Sequence, residues 1–314
     1  MSGLVAAFPS PGTGTIEIGP LSIHMYGITL LVAIVCAIVV TGIRWTRRGG
    51  DWDLVLKVAV WGVAAGIVGA RAYHDITSWN EVSSPKWKGV FAVWEGGLGV
   101  WGGILLGCLV GAYIVHREGA RVRDFMDVVA PGLLLAQGIG RWGNWWNQEL
   151  YGKPTDLPWG LKIDVEHRVT GYENDATFHP TFLYEIVWNL GLAAGLVWLG
   201  HHRRIRAPGL FALYVAGYSL GRIGEELLRV DPAHHILGFR LNFFVAILLF
   251  VAGLIWFAHS QGWLRRTRRP AAAAVAIGVT AAALWGCGGG HRAPSGHAVA
   301  GPDPPARHTA VRGM

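Results

Sequence analysis

Residues 21–48 read LSIHMYGITLLVAIVCAIVVTGIRWTRR. From 21 to 43 no Asp, Glu, Lys or Arg occurs, and then Arg44, Arg47 and Arg48 arrive together. A helix crossing the hydrocarbon core of a bilayer needs about 20 mostly apolar residues. A cluster of arginines directly after such a run marks a cytoplasmic flank. This one stretch therefore reads as a membrane span with its orientation attached.

The same pattern recurs along the chain. Apolar spans are expected at 21–43, 54–74, 96–116, 124–142, 181–200, 208–226 and 237–259, the fourth being the least apolar. Arg117, Arg121 and Arg123 follow the third span, Arg203, Arg204 and Arg206 the fifth, and Arg265, Arg266, Arg268 and Arg269 the last. Cations return after every second crossing, which places the N-terminus outside and the C-terminus in the cytoplasm. The expected fold is all-α: a polytopic membrane helix bundle of about seven transmembrane helices with a small extracytoplasmic head. The bulk properties agree. The 314 residues are 52% hydrophobic and 15% charged, with mean hydropathy +0.36, against roughly 25% charged in a soluble chain. The net charge of +7 is accounted for by the orienting clusters, which can touch anionic membrane lipid, so no nucleic-acid partner is implied.

The outer connections are then about 75–95, about 143–180 and about 227–236. The middle one holds Pro154, Pro158, Gly160 and Gly171 and reads as the irregular head. Trp79, Trp87, Trp94, Trp142, Trp145, Trp146 and Trp159 fall near the outer interface and read as an aromatic belt. Gly62 and Gly66, and Gly103, Gly107 and Gly111, recur every four residues and suit close helix packing. Residues 1–269 form the transmembrane unit. Residues 270–314 are rich in Ala, Gly and Pro, and disorder is expected there. Within that tail, Leu284-Trp285-Gly286-Cys287 has the look of a degenerate lipoprotein lipobox, which chance explains. Cys36 and Cys108 read as small buried apolar side chains, and no Cys/His group has metal-ligand spacing, so neither metal nor organic cofactor is expected.

Ionisable groups in or beside a span are costly and are functional candidates. Three clusters qualify, all on the outer side. The first is the run 140–152, GRWGNWWNQELYG. Arginine offers a planar fork of donors matched to phosphate, and asparagine both donates and accepts. An interfacial turn with Arg141 bound to Glu149 explains the same composition. The second is Arg222, Glu226 and Arg229, whose spacing shares one helix face. They form either a self-neutralising ladder or an anion site with a cation to spare. The third joins His24-Met25-Tyr26-Gly27 to Arg71-Ala72-Tyr73-His74-Asp75. By contrast Gly217-Tyr218-Ser219-Leu220-Gly221 fits G-x-S-x-G but lies in an apolar helix, without the strand–turn–helix a serine nucleophile needs.

The run 140–152 closely resembles the G-R-x-G-N-[FW]-x-N-x-E-x-x-G stretch of the prolipoprotein diacylglyceryl transferases. His24-Met25-Tyr26-Gly27, Gly69-Ala70-Arg71-Ala72-Tyr73, Glu95-Gly96-Gly97, His179-Pro180-Thr181-Phe182-Leu183-Tyr184-Glu185 and the pair Arg222/Glu226 resemble further elements of that family, in order, over about 20–260. The resemblance implies transfer of a diacylglyceryl group from phosphatidylglycerol to the lipobox cysteine thiol of a preprolipoprotein, giving a thioether and glycerol 1-phosphate. It implies Arg141 as first phosphate clamp and Arg222 as second, with Asn144 and Tyr26 on the headgroup. Glu149 and Glu226 would orient the arginines or accept the thiol proton. Asn147, Gly152, Arg71 and His24 complete the expected substrate-binding set. One departure stands out: Trp101 occupies a position where many relatives have a histidine proposed as base. Two rival readings are a secondary transporter for an anionic solute, with the two arginines as its site, although no internal repeat is seen, and a non-catalytic membrane scaffold with the 143–180 head as its interaction surface.

Overall fold

The computed structural model describes residues 8–19 and 21–264. The fourth arginine cluster (Arg265 to Arg269), the tail 270–314 and its lipobox-like Leu284–Cys287 lie outside the described residues. Among those described, seven long helices stand where the apolar spans were expected. They are α1 (Met25–Thr46), α2 (Trp52–Thr77), α4 (Val100–Arg117), α5 (Val122–Gly140), α7 (Thr181–His202), α8 (Gly209–Leu228) and α9 (Leu241–Gln261). Two short helices, α3 (Lys86–Gly89) and α6 (Trp142–Trp146), sit in connections between the long ones. Three antiparallel hairpins complete the set: β1 (Thr15–Ile18) with β2 (Leu21–His24), β3 (Leu161–Lys162) with β4 (Thr177–Phe178), and β5 (His235–Ile236) with β6 (Phe239–Arg240).

The hairpins and two glycines correct three expected boundaries. The first span begins at Met25 because Leu21–His24 pairs back on Thr15–Ile18. The third begins at Val100 because Gly96 and Gly97 take φ of 87° and 68°, outside helical space. The last begins at Leu241, after β6.

Helices α1, α2, α4, α7 and α9 are each long and apolar enough to cross a membrane, and together they make the chain a multi-pass membrane helix bundle. Helices α5 and α8 fall short of that measure because they occupy the middle. Helix α5 packs on α1, α7 and α8, while α8 packs on α5, α7 and α9. Ala130 and Leu134 of α5 meet Leu210, Tyr214, Val215 and Tyr218 of α8 in one buried core. A helix surrounded by protein has no lipid to satisfy, so it can carry polar side chains provided they find partners.

Pro131 shows how such partners are found. A proline inside a helix has no N–H for the carbonyl four residues back, here that of Asp127. Arg44 of α1 reaches across, donating from Nη2 to the Asp127 carbonyl at 3.3 Å and from Nε to that of Val128 at 3.1 Å. The Asp127 carboxylate in turn accepts from the Phe211 N–H, 2.9 Å away in the first turn of α8, where N–H groups lack helical partners. Arg44 is thus buried and structural, beyond the orienting role its position suggested.

Helices α2 and α4 close through the glycines. Gly62 faces Gly107 and Gly66 faces Gly103, as the four-residue spacing implied, but the tightest approach is Gly69 against Gly102. A Cβ on Gly102 would collide with the Gly69 backbone. Of the two buried-cysteine expectations, neither holds fully: Cys36 is half-buried and Cys108 is exposed. Of the tryptophans, Trp79, Trp87, Trp94 and Trp159 are exposed, whereas Trp142 and Trp145 pack into the core of the head against Phe182.

Gly102→Val is expected to lower stability by about 1–3 kcal/mol through overpacking, read as a fall in thermal midpoint in detergent. Gly191→Ala, where a Cβ meets nothing within 4 Å, leaves the midpoint unchanged or raised.

Candidate active site

Helix α5 ends at Gly140 and the chain re-enters helix at Trp142, so Arg141 is the joint between α5 and α6. Gly143 lies beneath the ring of Tyr26 from α1, with no room for a Cβ, and this seats Tyr26 one residue from Asn144. The chain then turns back sharply: the Glu149 N–H donates to the Asn144 carbonyl at 3.0 Å, and Asn144 Nδ2 donates to Glu149 Oε1 at 2.8 Å. That reversal puts Gln148 and Leu150 at φ of 51° and 58°, a region non-glycine residues avoid. The surrounding bonds hold it. Gln148 donates to Asp164 Oδ2 at 2.6 Å and accepts from the Asp164 N–H at 2.8 Å, while Leu150 O accepts from Thr181 Oγ1 at 2.5 Å.

Arg141 is 3% exposed. Its Nη1 donates to Asn144 Oδ1 at 3.2 Å, and its Nε lies 2.7 Å from Glu185 Oε2. The carboxylate partner of Arg141 is therefore Glu185 of α7, and Glu149, the partner weighed from sequence, binds Asn144 instead. The same Glu185 Oε2 lies 3.4 Å from Arg222 Nη1, and its Oε1 accepts from Tyr218 Oη at 3.1 Å. One buried carboxylate thus joins the arginine at the α5–α6 joint to that of α8. Arg222 also pairs with Glu225 and Glu226 on its own helix. Glu226 continues outward to Arg240 Nε at 2.6 Å, and Arg240 and Arg229 both hold Asp231. Burial works to raise the Asp231 carboxyl, but the hydrogen bond from Arg229 and the charges of Arg229 and Arg240 outweigh it and hold Asp231 below its usual range. The network as named carries four guanidinium groups (Arg141, Arg222, Arg229, Arg240) and four carboxyl groups (Glu185, Glu225, Glu226, Asp231). A cavity of about 240 Å³ opens beside it between α7 and α8, lined among others by Tyr184, Glu185, Trp188, Arg222 and Glu225.

Of the residues singled out in sequence, Arg141, Asn144, Glu149 and Tyr26 come together, and Arg222 and Glu226 join them through Glu185. Asn147 is exposed, its Nδ2 3.4 Å from Glu149 Oε1. Gly152 lies where a strand of the head passes between His179 and the end of α8, and its N–H donates to His179 O at 2.9 Å. His24 is exposed at the start of α1 and makes no side-chain cap. Arg71 is engaged elsewhere. It sits 3.1 Å from Asp75 and donates to the carbonyls of Gly89, Val90 and Gly96, tying down the loop after α2. Ser219 is buried in mid-helix α8, without the turn a nucleophile needs. Asp164, Glu166 and His167 on the head present ligand-type atoms within 4.8 Å of one another, yet Asp164 is already held by Gln148.

In the sequence Glu185 stands out only as the last residue of the 179–185 motif, and Glu225 and Arg240 are not among the candidate residues. A carboxylate in the second turn of an otherwise apolar helix was the available signal for Glu185. Arg240 sits in a hairpin and offers no periodicity.

Fold and site together define a membrane-embedded protein with a buried arginine–carboxylate centre at one end of the bundle. The model of the prolipoprotein diacylglyceryl transferase family matches residues 13–259. The chain is 46% identical over 271 residues to phosphatidylglycerol–prolipoprotein diacylglyceryl transferase 2 of Streptomyces coelicolor, covering 84% of this chain and 85% of that protein. It is 45% identical over 251 residues to the phosphatidylglycerol–prolipoprotein diacylglyceryl transferase of Cutibacterium acnes (79% and 85%), and 43% over 271 residues to that of Bifidobacterium adolescentis (82% and 81%). The chain belongs to the prolipoprotein diacylglyceryl transferase family.

Removing one partner of a buried ion pair strands the other charge, at about 3–5 kcal/mol. Glu185→Ala is therefore expected to lower unfolding stability by about 3 kcal/mol or more, measured in detergent. Glu149→Ala, whose partners are amides, costs about 1.5 kcal/mol.

Proposed function

We propose that this chain transfers the diacylglyceryl group of phosphatidylglycerol to the lipobox cysteine thiol of preprolipoproteins, forming a thioether and releasing glycerol 1-phosphate. The observation that carries the reading is the pair Arg141 and Arg222, buried and held by one carboxylate, Glu185. The reaction displaces a phosphate ester from carbon, so negative charge grows on the leaving phosphate. Guanidinium groups already fixed in a water-poor site stabilise that charge without reorganising. Arg141 is the first clamp and Arg222 the second, with Asn144 and Tyr26 on the headgroup. Glu149 acts through Asn144 and Glu226 through Arg222. Asn147, Gly152 and His24 border the site, and Arg71 acts at a distance by holding the loop after α2.

The site faces the outer leaflet of a bacterial inner membrane, with the N-terminus outside and the C-terminus in the cytoplasm. Support for this comes from the opposite end of the bundle, where the orienting arginines gather. Arg48 donates to Asp124 O at 3.4 Å, linking the end of α1 to the start of α5. Arg206 donates to Gln261 O at 3.2 Å, linking the turn before α8 to the end of α9. The signal peptide of the acceptor and the lipid acyl chains both reach the site through the bilayer.

Purified protein given phosphatidylglycerol and a synthetic lipobox peptide is expected to release glycerol phosphate only when the peptide carries its cysteine. Arg141→Ala is expected to insert and fold yet lose turnover by more than about 10²-fold. Near-normal release by well-folded Arg141→Ala would remove the clamp. No release by the unaltered protein would favour anion transport, tested by flux in liposomes.

A further inference from the structure

The transfer moves a proton as well as a carbon, and Trp101 leaves no imidazole at the position where a base was expected. Three carboxyl groups touch Arg222, and their surroundings differ. Glu226 lies outside the cavity lining and is shared among Arg222, Arg240 and Arg229. Glu185 lines the cavity but is held by Arg141, Arg222 and Tyr218. Glu225 lines the cavity and pairs with the Arg222 guanidinium. Glu185 approaches the same nitrogen of Arg222, Nη1, that Glu225 pairs with, so the two carboxyl groups meet on one guanidinium corner. Two carboxyl groups crowded onto one guanidinium nitrogen repel when both are ionised, and one proton shared between them relieves that repulsion. Arg222 and Tyr218 of its own helix and Glu185 and Tyr184 of α7 share the cavity wall with Glu225, while Arg141, at the end of α5, is bound to Glu185, and Arg240 to Glu226. Asn189, fully buried with neither amide atom hydrogen-bonded, lines the same cavity, whose wall therefore has unmet polar capacity for a group that enters.

We propose that Glu225 is the proton relay of the transfer, passing the thiol proton of the acceptor cysteine to the departing phosphate. The inference rests on the transferase reading. In the step, the S–H bond breaks and an S–C bond forms to the glyceryl carbon. The C–O bond to phosphate breaks, and its electron pair stays on the phosphate oxygen. Glu225 gives that oxygen the proton of the carboxyl pair and receives the thiol proton in its place. A phosphodiester monoanion and a neutral thiol become a thioether and a singly protonated phosphate monoester, and Glu225 ends as it began. Arg222 serves both ends, fixing the relay and meeting the charge on the leaving group.

The test compares full-length wild type, Glu225→Gln and Glu225→Asp in phosphatidylglycerol vesicles with a lipobox-cysteine peptide, recording kcat and the KM for lipid from about pH 6 to pH 9. A positioned acid–base group contributes about 10²–10⁴-fold. Glu225→Gln should lose at least about 10²-fold in kcat near neutrality with little change in KM. The deficit should shrink as the pH approaches the free-thiol pKa of about 8.5 and the cysteine ionises unaided. Glu225→Asp should recover part of the rate. Full activity of Glu225→Gln, or a deficit equal at every pH, would overturn the relay, the latter marking a structural role. A wild-type protein that releases no glycerol phosphate would overturn the transferase reading itself, before any variant is compared.

Discussion

Two arginines cannot be kept out of water a short distance apart unless something negative stands between them. Glu185 does this for Arg141 and Arg222, each of which comes from a different helix. The desolvation of such groups costs several kcal/mol apiece and is offset only when geometry and hydrogen bonding are good. Much of the surrounding structure supplies that geometry. The joint between α5 and α6 aims Arg141, and the strained reversal at Gln148 and Leu150 brings Glu149 onto Asn144. The hairpin β5–β6 delivers Arg240 to Glu226. Helices α5 and α8, which carry or adjoin these groups, lie inside the bundle, and the more apolar helices α1, α7 and α9 pack against them.

The number and place of the long helices were legible in the sequence because lipid imposes a coarse requirement: about 20 apolar residues per crossing. The two weakest hydropathy signals belong to the two central helices, and the physical reason is the same for both. Asp127 and Gln137 in α5, and Arg222, Glu225 and Glu226 in α8, find hydrogen-bond or ion-pair partners within the protein. Boundaries were less legible. Hydropathy does not distinguish Leu21–His24 in a hairpin strand from the first turn of a helix, and only the pairing with Thr15–Ile18 decides it. The role of Arg44 was hidden too, since its partners are carbonyls near a proline some 83 residues away in sequence.

The site was legible as a set of local clusters and illegible as a network. Spacing put Arg222 and Glu226 on one helix face, and they do pair. Spacing also suggested Arg141 with Glu149, eight residues apart, but the tight turn between them commits Glu149 to Asn144. The partner of Arg141 comes from α7, and no local pattern reports a contact at that separation. Arg71 shows the converse. It sits in a motif shared with the family, at the expected end of α2, yet its donors are taken by backbone carbonyls of the following loop. A buried arginine among carbonyls holds structure, whereas one among carboxylates can exchange a partner for an entering anion.

That distinction puts weight on the shared carboxylate: in the proposed function the two arginines act as one anion site because Glu185, which contacts both, couples them. A double-mutant cycle tests it most directly. Binding of phosphatidylglycerol to purified protein is measured for Arg141→Lys, Arg222→Lys and the double variant, each with Glu185 intact and with Glu185→Gln. Coupled residues show interaction energies of about 0.5–3 kcal/mol. The account predicts a coupling in this range that vanishes with Glu185→Gln. Losses that add in both backgrounds would contradict it, leaving two independent arginines with a carboxylate merely nearby.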